Sequence, residues 1–225
     1  MQLQSMRTKH EEELPLDNIP SWSCEQFADE LNSSAPVPGG GSVAALVGSL
    51  GAALAGMVGA LTTGKKKYAA YEEDIQRILG EAKSLQDELM AQINRDAENF
   101  LPLSKCYGLP QNTDEEKAIR EQKMQAALKT AVSAPIDIVK IAYKALKLQE
   151  ELVEKGSKLA VSDVGCGALC LKASMKMAWL NVIINLRSIH DEEYVQSVRD
   201  ELEPLLQEGE ALADRIYDQV EDQLS

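Results

Sequence analysis

Ala35 to Gly64 reads APVPGGGSVAALVGSLGAALAGMVGALTTG, and Lys65, Lys66, Lys67 and Tyr68 follow at once. No charge falls between Glu30 and Lys65, and Val43 to Leu61 contains only Ala, Gly, Val, Leu, Met and one Ser. A proline-flanked triple glycine opens the stretch and a basic tract closes it. Three readings compete: a membrane span, a buried helix of small residues, or a glycine turn that seats a ligand against a helix start. The apolar run is long enough to span a bilayer. More than half of it is Ala or Gly, however, and it lacks an aromatic belt. Gly48, Ala52, Gly56 and Ala60, four residues apart, suit close contact between helices. The expectation is a central buried helix from about Gly41–Ser42 to Thr63, with no membrane as partner.

The remainder of the chain supports that choice. Its 225 residues carry 23 basic and 36 acidic side chains, a formal net charge of −13. Such a balance argues against nucleic acid as a partner, because phosphate binding needs a basic field. Four cysteines and two histidines are too few and too scattered for a disulfide scaffold or a zinc site, so reduced thiols in a cytoplasmic protein are expected, with no metal. Met1 to Leu14 is polar and has no signal-peptide core. Residues 1–20 are expected to be a flexible leader and 21–225 a single domain.

Helical signals fill that domain. Ser23-Cys-Glu-Gln26 and Thr113-Asp-Glu-Glu116 are capping boxes, and order is expected to begin at Ser23. Ile75, Ile78, Ala82, Leu85, Leu89, Ile93, Ala97 and Phe100 recur every three or four residues within Lys67–Ser104. Pro135 is expected to end one helix and open the next. Gly156 stops that one, a long helix runs from about Ser162 to Ile189, and Asp191 caps the last, which Pro204 should kink or split. Strand signals are absent. The expectation is an all-α, single-domain bundle of about six to eight helices.

Polar residues on core stripes are the informative exceptions. At 100° per residue, Asp96 falls within about 20° of Ile78, Leu85 and Leu89. A carboxylate facing the interior is costly unless paired or protonated, and a tuned carboxyl suits general acid–base chemistry. A backbone N–H or a salt bridge would satisfy it equally. Asp163, Ser174, Asn181 and Asn185 share a second face, within about 40° of one another. That face is either a helix contact or a ligand wall. Pro38-Gly39-Gly40-Gly41-Ser42 offers unhindered N–H groups at a helix start, without matching a phosphate-binding pattern. Lys65 to Lys67 are either a solvated junction or a site for an anionic tail. No nucleophilic triad is readable.

Taken together, Pro36-Val-Pro38-Gly-Gly-Gly41-Ser42, Thr62-Thr-Gly-Lys65-Lys66-Lys67-Tyr68, Asp96-Ala-Glu-Asn-Phe100, Pro135, Ser162-Asp163 and Asn181-Val-Ile-Ile-Asn185-Leu186 resemble the formiminotransferase-cyclodeaminase C-terminal domain family, in its stand-alone, bacterial-type form, from about Ser21 onward. The resemblance implies an all-helical homodimer that binds a reduced folate, possibly polyglutamylated, without metal or cofactor. It implies cyclisation of 5-formimidoyltetrahydrofolate to 5,10-methenyltetrahydrofolate with loss of ammonia. The alternatives are methenyltetrahydrofolate cyclohydrolase activity at the same site, or a non-catalytic helical protein that binds folate or a partner. Asp96 would be the acid/base. Pro38, Gly39, Gly40, Gly41 and Ser42 would seat the reacting part, Asp163, Asn181 and Asn185 would bind polar edges, and Lys65 and Lys66 would attract the tail. Relatives often carry an acid two positions before Asp96, where this chain has Asn94, and arginines at the positions of Lys65 and Lys66.

Overall fold

The computed structural model describes residues 16–225, which form six α-helices and three short 3-10 turns. The helices are α1 (Cys24–Leu31), α2 (Gly40–Ala60), α3 (Glu72–Cys106), α4 (Asp114–Lys155), α5 (Val161–Leu186) and α6 (Glu192–Leu224). Among the described residues there is no strand. The capping boxes form as their spacing requires. Ser23 Oγ accepts from Gln26 N–H at 3.1 Å while Gln26 Oε1 accepts from Ser23 N–H at 2.8 Å. Thr113 and Glu116 repeat the exchange at the start of α4, and Asp191 accepts from Tyr194 N–H to begin α6.

Order reaches further back than Ser23. The 3-10 turn Leu16–Ser21 buries Ile19, whose N–H donates to Asn94 Oδ1 at 3.0 Å. The last residues of the expected leader are therefore packed on α3, and Asn94 holds them there. Residues 1–15 of that leader lie outside the described residues.

Pro135 does not end a helix. α4 runs unbroken from Asp114 to Lys155 with Pro135 inside it. An internal proline costs about 3 kcal/mol, but its neighbours Val132, Ala134, Ile136, Ile138 and Val139 are all buried. Five core side chains on one continuous helix outweigh one missing N–H. Pro204 likewise lies within an uninterrupted α6, and Pro102 within α3.

α2 lies at the centre, packed on α3, α4 and α5, while α6 closes the outer side of α4 and α5. α2 and α5 run antiparallel. Gly40 adjoins Asn181, and Ser174 Oγ donates to the Ala44 carbonyl at 2.7 Å. A Cβ at Gly51 would lie 2.7 Å from Leu171 Cγ and 3.0 Å from the Gly167 carbonyl. The small residues thus permit near-backbone contact, as expected, but not at every position of the four-residue series. Gly48 and Ala52 are buried, whereas Gly56 is half-buried and Ala60 exposed. Gln149 of α4 reaches the same crossing, fully buried, and donates from Nε2 to the Gly51 carbonyl at 2.9 Å. α3 and α4 are antiparallel and tied by Asn99–Ser133, Arg95–Asp137, Arg77–Glu151 and Lys155–Asp74.

Two helical segments, Gly40–Ala60 and Lys158–Leu186, are long and apolar enough to cross a membrane by length and composition. In the fold both are packed core elements, the first with half of its apolar window buried and the second with 39%.

Candidate active site

The N-terminus of α2 has no side-chain cap of its own, because Gly39 stands at the cap position. Asp96 of α3 takes that role from across the interface. Its Oδ2 accepts from Ser42 Oγ–H at 2.9 Å, and the carboxyl also accepts from the Ser42 N–H. Only glycine allows this approach: a Cβ at Gly41 would lie 2.0 Å from Asp96 Oδ1. Burial pushes the Asp96 carboxyl above its ordinary range, and the two Ser42 donors pull the other way without cancelling it. Asp96 therefore faces the interior, as its helical phase predicts, and is hydrogen-bonded rather than salt-bridged.

This carboxyl opens into a cleft of about 280 Å³ bounded by α2, α3, α4 and α5. Among the described residues, Asp96 is the only carboxyl on its wall, and Tyr107 the only other ionisable side chain. Gly39, Gly40 and Gly41 form one side, and Asn181 and Asn185 another. Asn181 Nδ2 donates to the Met177 carbonyl at 2.9 Å, and Asn185 Nδ2 to the Asn181 carbonyl at 2.7 Å. One N–H of each amide is thus committed within α5, and each group keeps a second N–H and its Oδ1 for another partner. Two larger grooves along α6 hold surface charges instead: Arg215 and Glu150 in the one of about 540 Å³, and the Lys176–Glu210 and Arg199–Glu203 pairs in the one of about 600 Å³.

The other expected site residues sort by position. Ser42 is fully buried and touches Asp96 and the Ile93 carbonyl rather than the cleft. Pro38 follows a cis peptide bond ahead of the glycines and is not on the wall. Lys65 and Lys66 lie past the far end of α2, about 30 Å along its axis from Gly40. Asp163 sits in the first turn of α5, about 27 Å from Asn181. Within one chain neither the lysines nor Asp163 meet Asp96. The polar stripe of α5 is divided accordingly, with a helix contact at Ser174 and a cleft wall at Asn181 and Asn185. Sequence spacing alone did not single out Tyr107, Leu128, Ala131, Ile184 or Ser188 as wall residues. They come from α4, α5 and the turns that follow α3 and α5, and only the tertiary fold brings them together.

Ser42→Ala leaves Asp96 with one donor fewer to its charged form. The expected result is a further rise of the Asp96 pKa, read by carbon-13 carboxyl titration, with Ser42→Thr close to wild type. An unchanged titration in the alanine variant would show that the hydroxyl does not hold the carboxyl.

The formiminotransferase-cyclodeaminase family pattern matches residues 23–204 of this sequence, taking in the glycine turn, Asp96 and both asparagines. The chain belongs to that family. Among relatives, a methenyltetrahydrofolate cyclohydrolase of Methylorubrum extorquens is 42% identical over 89% of this chain and 97% of its own length. A formimidoyltransferase-cyclodeaminase of Rattus norvegicus is 31% identical over 88% of this chain, which spans only 37% of that longer protein. The crystal structure of a formiminotetrahydrofolate cyclodeaminase from Thermotoga maritima superposes with a TM-score of 0.74 at 31% identity, covering 91% of this chain and 96% of that one. Family membership and the helical fold thus agree with the expectations drawn from the sequence.

Proposed function

We propose that the chain is a folate one-carbon enzyme, a formimidoyltetrahydrofolate cyclodeaminase whose acid and base are the same group, Asp96. The observation that carries this reading is a carboxyl largely withdrawn from solvent, hydrogen-bonded by Ser42 and held above its ordinary pKa, on the wall of a cleft that has no other charged side chain among the described residues. In the proposed reaction N10 of the protonated 5-formimidoyl substrate attacks the amidine carbon. The Asp96 carboxylate takes the N10 proton from the tetrahedral adduct and returns it to the amino group, which leaves as ammonia while the methenyl cation forms. A carboxyl with a pKa nearer neutrality serves both half-steps. The N–H groups of Gly40 and Gly41 offer donors, and the Asn181 and Asn185 amides polar partners, for the edges of a pteridine. The cleft is at the small end of ligand sites, about 300 Å³ upward, and suits a ring system more than a whole tailed folate.

The second reading, methenyltetrahydrofolate cyclohydrolase, is favoured by the 42% identity to a cyclohydrolase matched over nearly its full length. There Asp96 would take a proton from the attacking water and give it to the departing ring nitrogen. Ammonia release from the formimidoyl substrate and loss of methenyl absorbance from the methenyl substrate, followed in parallel, decide between them. Activity on neither substrate sinks both.

A cytoplasmic homodimer belongs to the same proposal. Leu50, Met57 and Leu61 on α2 and Leu169, Leu180 and Ile184 on α5 are each between 42% and 61% exposed, and a second copy is the occupant proposed for these stripes. A two-fold axis perpendicular to α2 would make the two α2 helices antiparallel. That would carry the partner's Lys65 and the partner's Lys66 toward the Asp96 end, the arrangement in which the tail-binding role of the lysines is proposed to operate. Leu50→Glu combined with Leu180→Glu is expected to give a monomer by sedimentation. A wild-type chain that sediments as a monomer at micromolar concentration overturns the dimer.

A further inference from the structure

Three helices carry an internal proline: Pro102 in α3, Pro135 in α4 and Pro204 in α6. A proline has no N–H, so the carbonyl four residues earlier loses its helical donor. The three carbonyls are those of Glu98, Ala131 and Asp200. Glu98 and Asp200 are exposed residues, and water can replace the missing donor. Ala131 is only 3% exposed. Among the described residues, no side chain and no backbone N–H from outside α4 donates to its carbonyl. A buried acceptor in that condition is costly, and such groups are nearly always paired.

Its position explains what it is for. In a helix the carbonyl of residue 131 points along the axis toward position 135, and Ala131 and Pro135 both line the Asp96 cleft. The freed oxygen therefore lies between two wall residues of the Asp96 cleft. We propose that the Ala131 carbonyl is a ligand-binding acceptor, kept free by Pro135, that takes an N–H donor from the heterocycle bound beside Asp96. The inference rests on the folate reading for the identity of that ring: a reduced pteridine presents donors at its 2-amino group, N3 and N8. The carbonyl gives the wall a backbone acceptor for such donors beside the Asn181 and Asn185 amides. A local rule broken without local compensation is the kind of site where function is to be sought.

Pro135→Ala supplies the missing N–H and ties up the carbonyl. Binding of 5-formyltetrahydrofolate, a stable reduced folate, is expected to weaken about tenfold by calorimetry, while the Tm rises because the helix gains a bond. Pro102→Ala and Pro204→Ala should raise the Tm and leave affinity unchanged. Pro135→Gly restores the same N–H with a poorer helix former, so an equal affinity loss at a lower Tm separates the carbonyl from helix stiffness. A 2-desamino or an 8-deaza analogue is expected to bind the wild type about tenfold more weakly than the parent ring, and Pro135→Ala no more weakly than it binds that ring. Wild-type affinity in Pro135→Ala, or equal losses from both analogues in wild type and variant, overturns the assignment. Failure of the wild type to bind any reduced folate instead refutes the folate reading on which it rests.

Discussion

Asp96→Asn is expected to lower turnover by about 10² to 10⁴ while leaving the affinity for a stable folate within a factor of two or so of wild type. The asparagine keeps the size of the carboxyl and its acceptor oxygen toward Ser42, and removes the carboxyl proposed to carry the proton. The same change should stabilise the fold at neutral pH. The Asp96 pKa is raised in the folded chain, so its contribution to stability is fully present below the unfolded value of about 3.9 and is lost as pH rises through the folded value. The variant has no such loss. Its Tm should therefore exceed that of the wild type at pH 7, with the gap closing as pH falls below the unfolded value. Unchanged turnover would remove Asp96 from the mechanism, and a gap that widens toward acid would contradict its burial as a charge.

Gly41→Ala should be nearly as damaging, for a steric reason. The new methyl would meet Asp96 Oδ1 at 2.0 Å, Cγ at 2.5 Å and Oδ2 at 2.7 Å, so the carboxyl must leave Ser42 or the start of α2 must move. Overpacking of this kind costs about 1–3 kcal/mol, and the displaced carboxyl no longer faces the cleft. Turnover is expected to fall by about two orders of magnitude or more, with a Tm several degrees lower. Gly80→Ala on α3 is the matched control, since a Cβ there meets nothing within 4 Å and the residue is not on the cleft wall, and it should retain turnover. Combining Gly41→Ala with Asp96→Asn should add little further loss of turnover, because both remove the same proton carrier. Turnover within twofold of wild type in Gly41→Ala would mean that the close approach does not exist in solution.

Much of this was legible before any coordinates, where the physics is local. Capping at Ser23, Thr113 and Asp191 depends on residues three positions apart, and each cap forms. The inward phase of Asp96 follows from helix geometry, and its burial agrees. Pro135 was misread because its local cost is visible in the sequence while the burial of Val132, Ala134, Ile136, Ile138 and Val139 is a tertiary quantity. The two ends of Ala35–Gly64 invited assignment to one ligand, although a helix of 21 residues already sets Lys65 about 30 Å from Gly40. Gln149, a lone amide among apolar neighbours, carried no pattern that marked it as the partner of Gly51. The wall formed by Tyr107, Leu128, Ala131 and Ile184 follows from how α3, α4 and α5 lie together, which no periodicity encodes.

The central helix also sets a direction for the drift of this sequence. Along the buried face of α2, from Gly41 to Gly59, the residues are Gly, Ala, Ser and one Val. A core of leucines can shrink or be reshaped, and neighbouring side chains can relax into the space. A face of glycine and alanine has almost nothing left to lose, so nearly every substitution there adds atoms between backbones that already touch. Tolerance to mutation is therefore lopsided. The least ornate helix of the chain is the one with the fewest permitted spellings, and variation must accumulate instead on α6 and on the outward faces of α3 and α4.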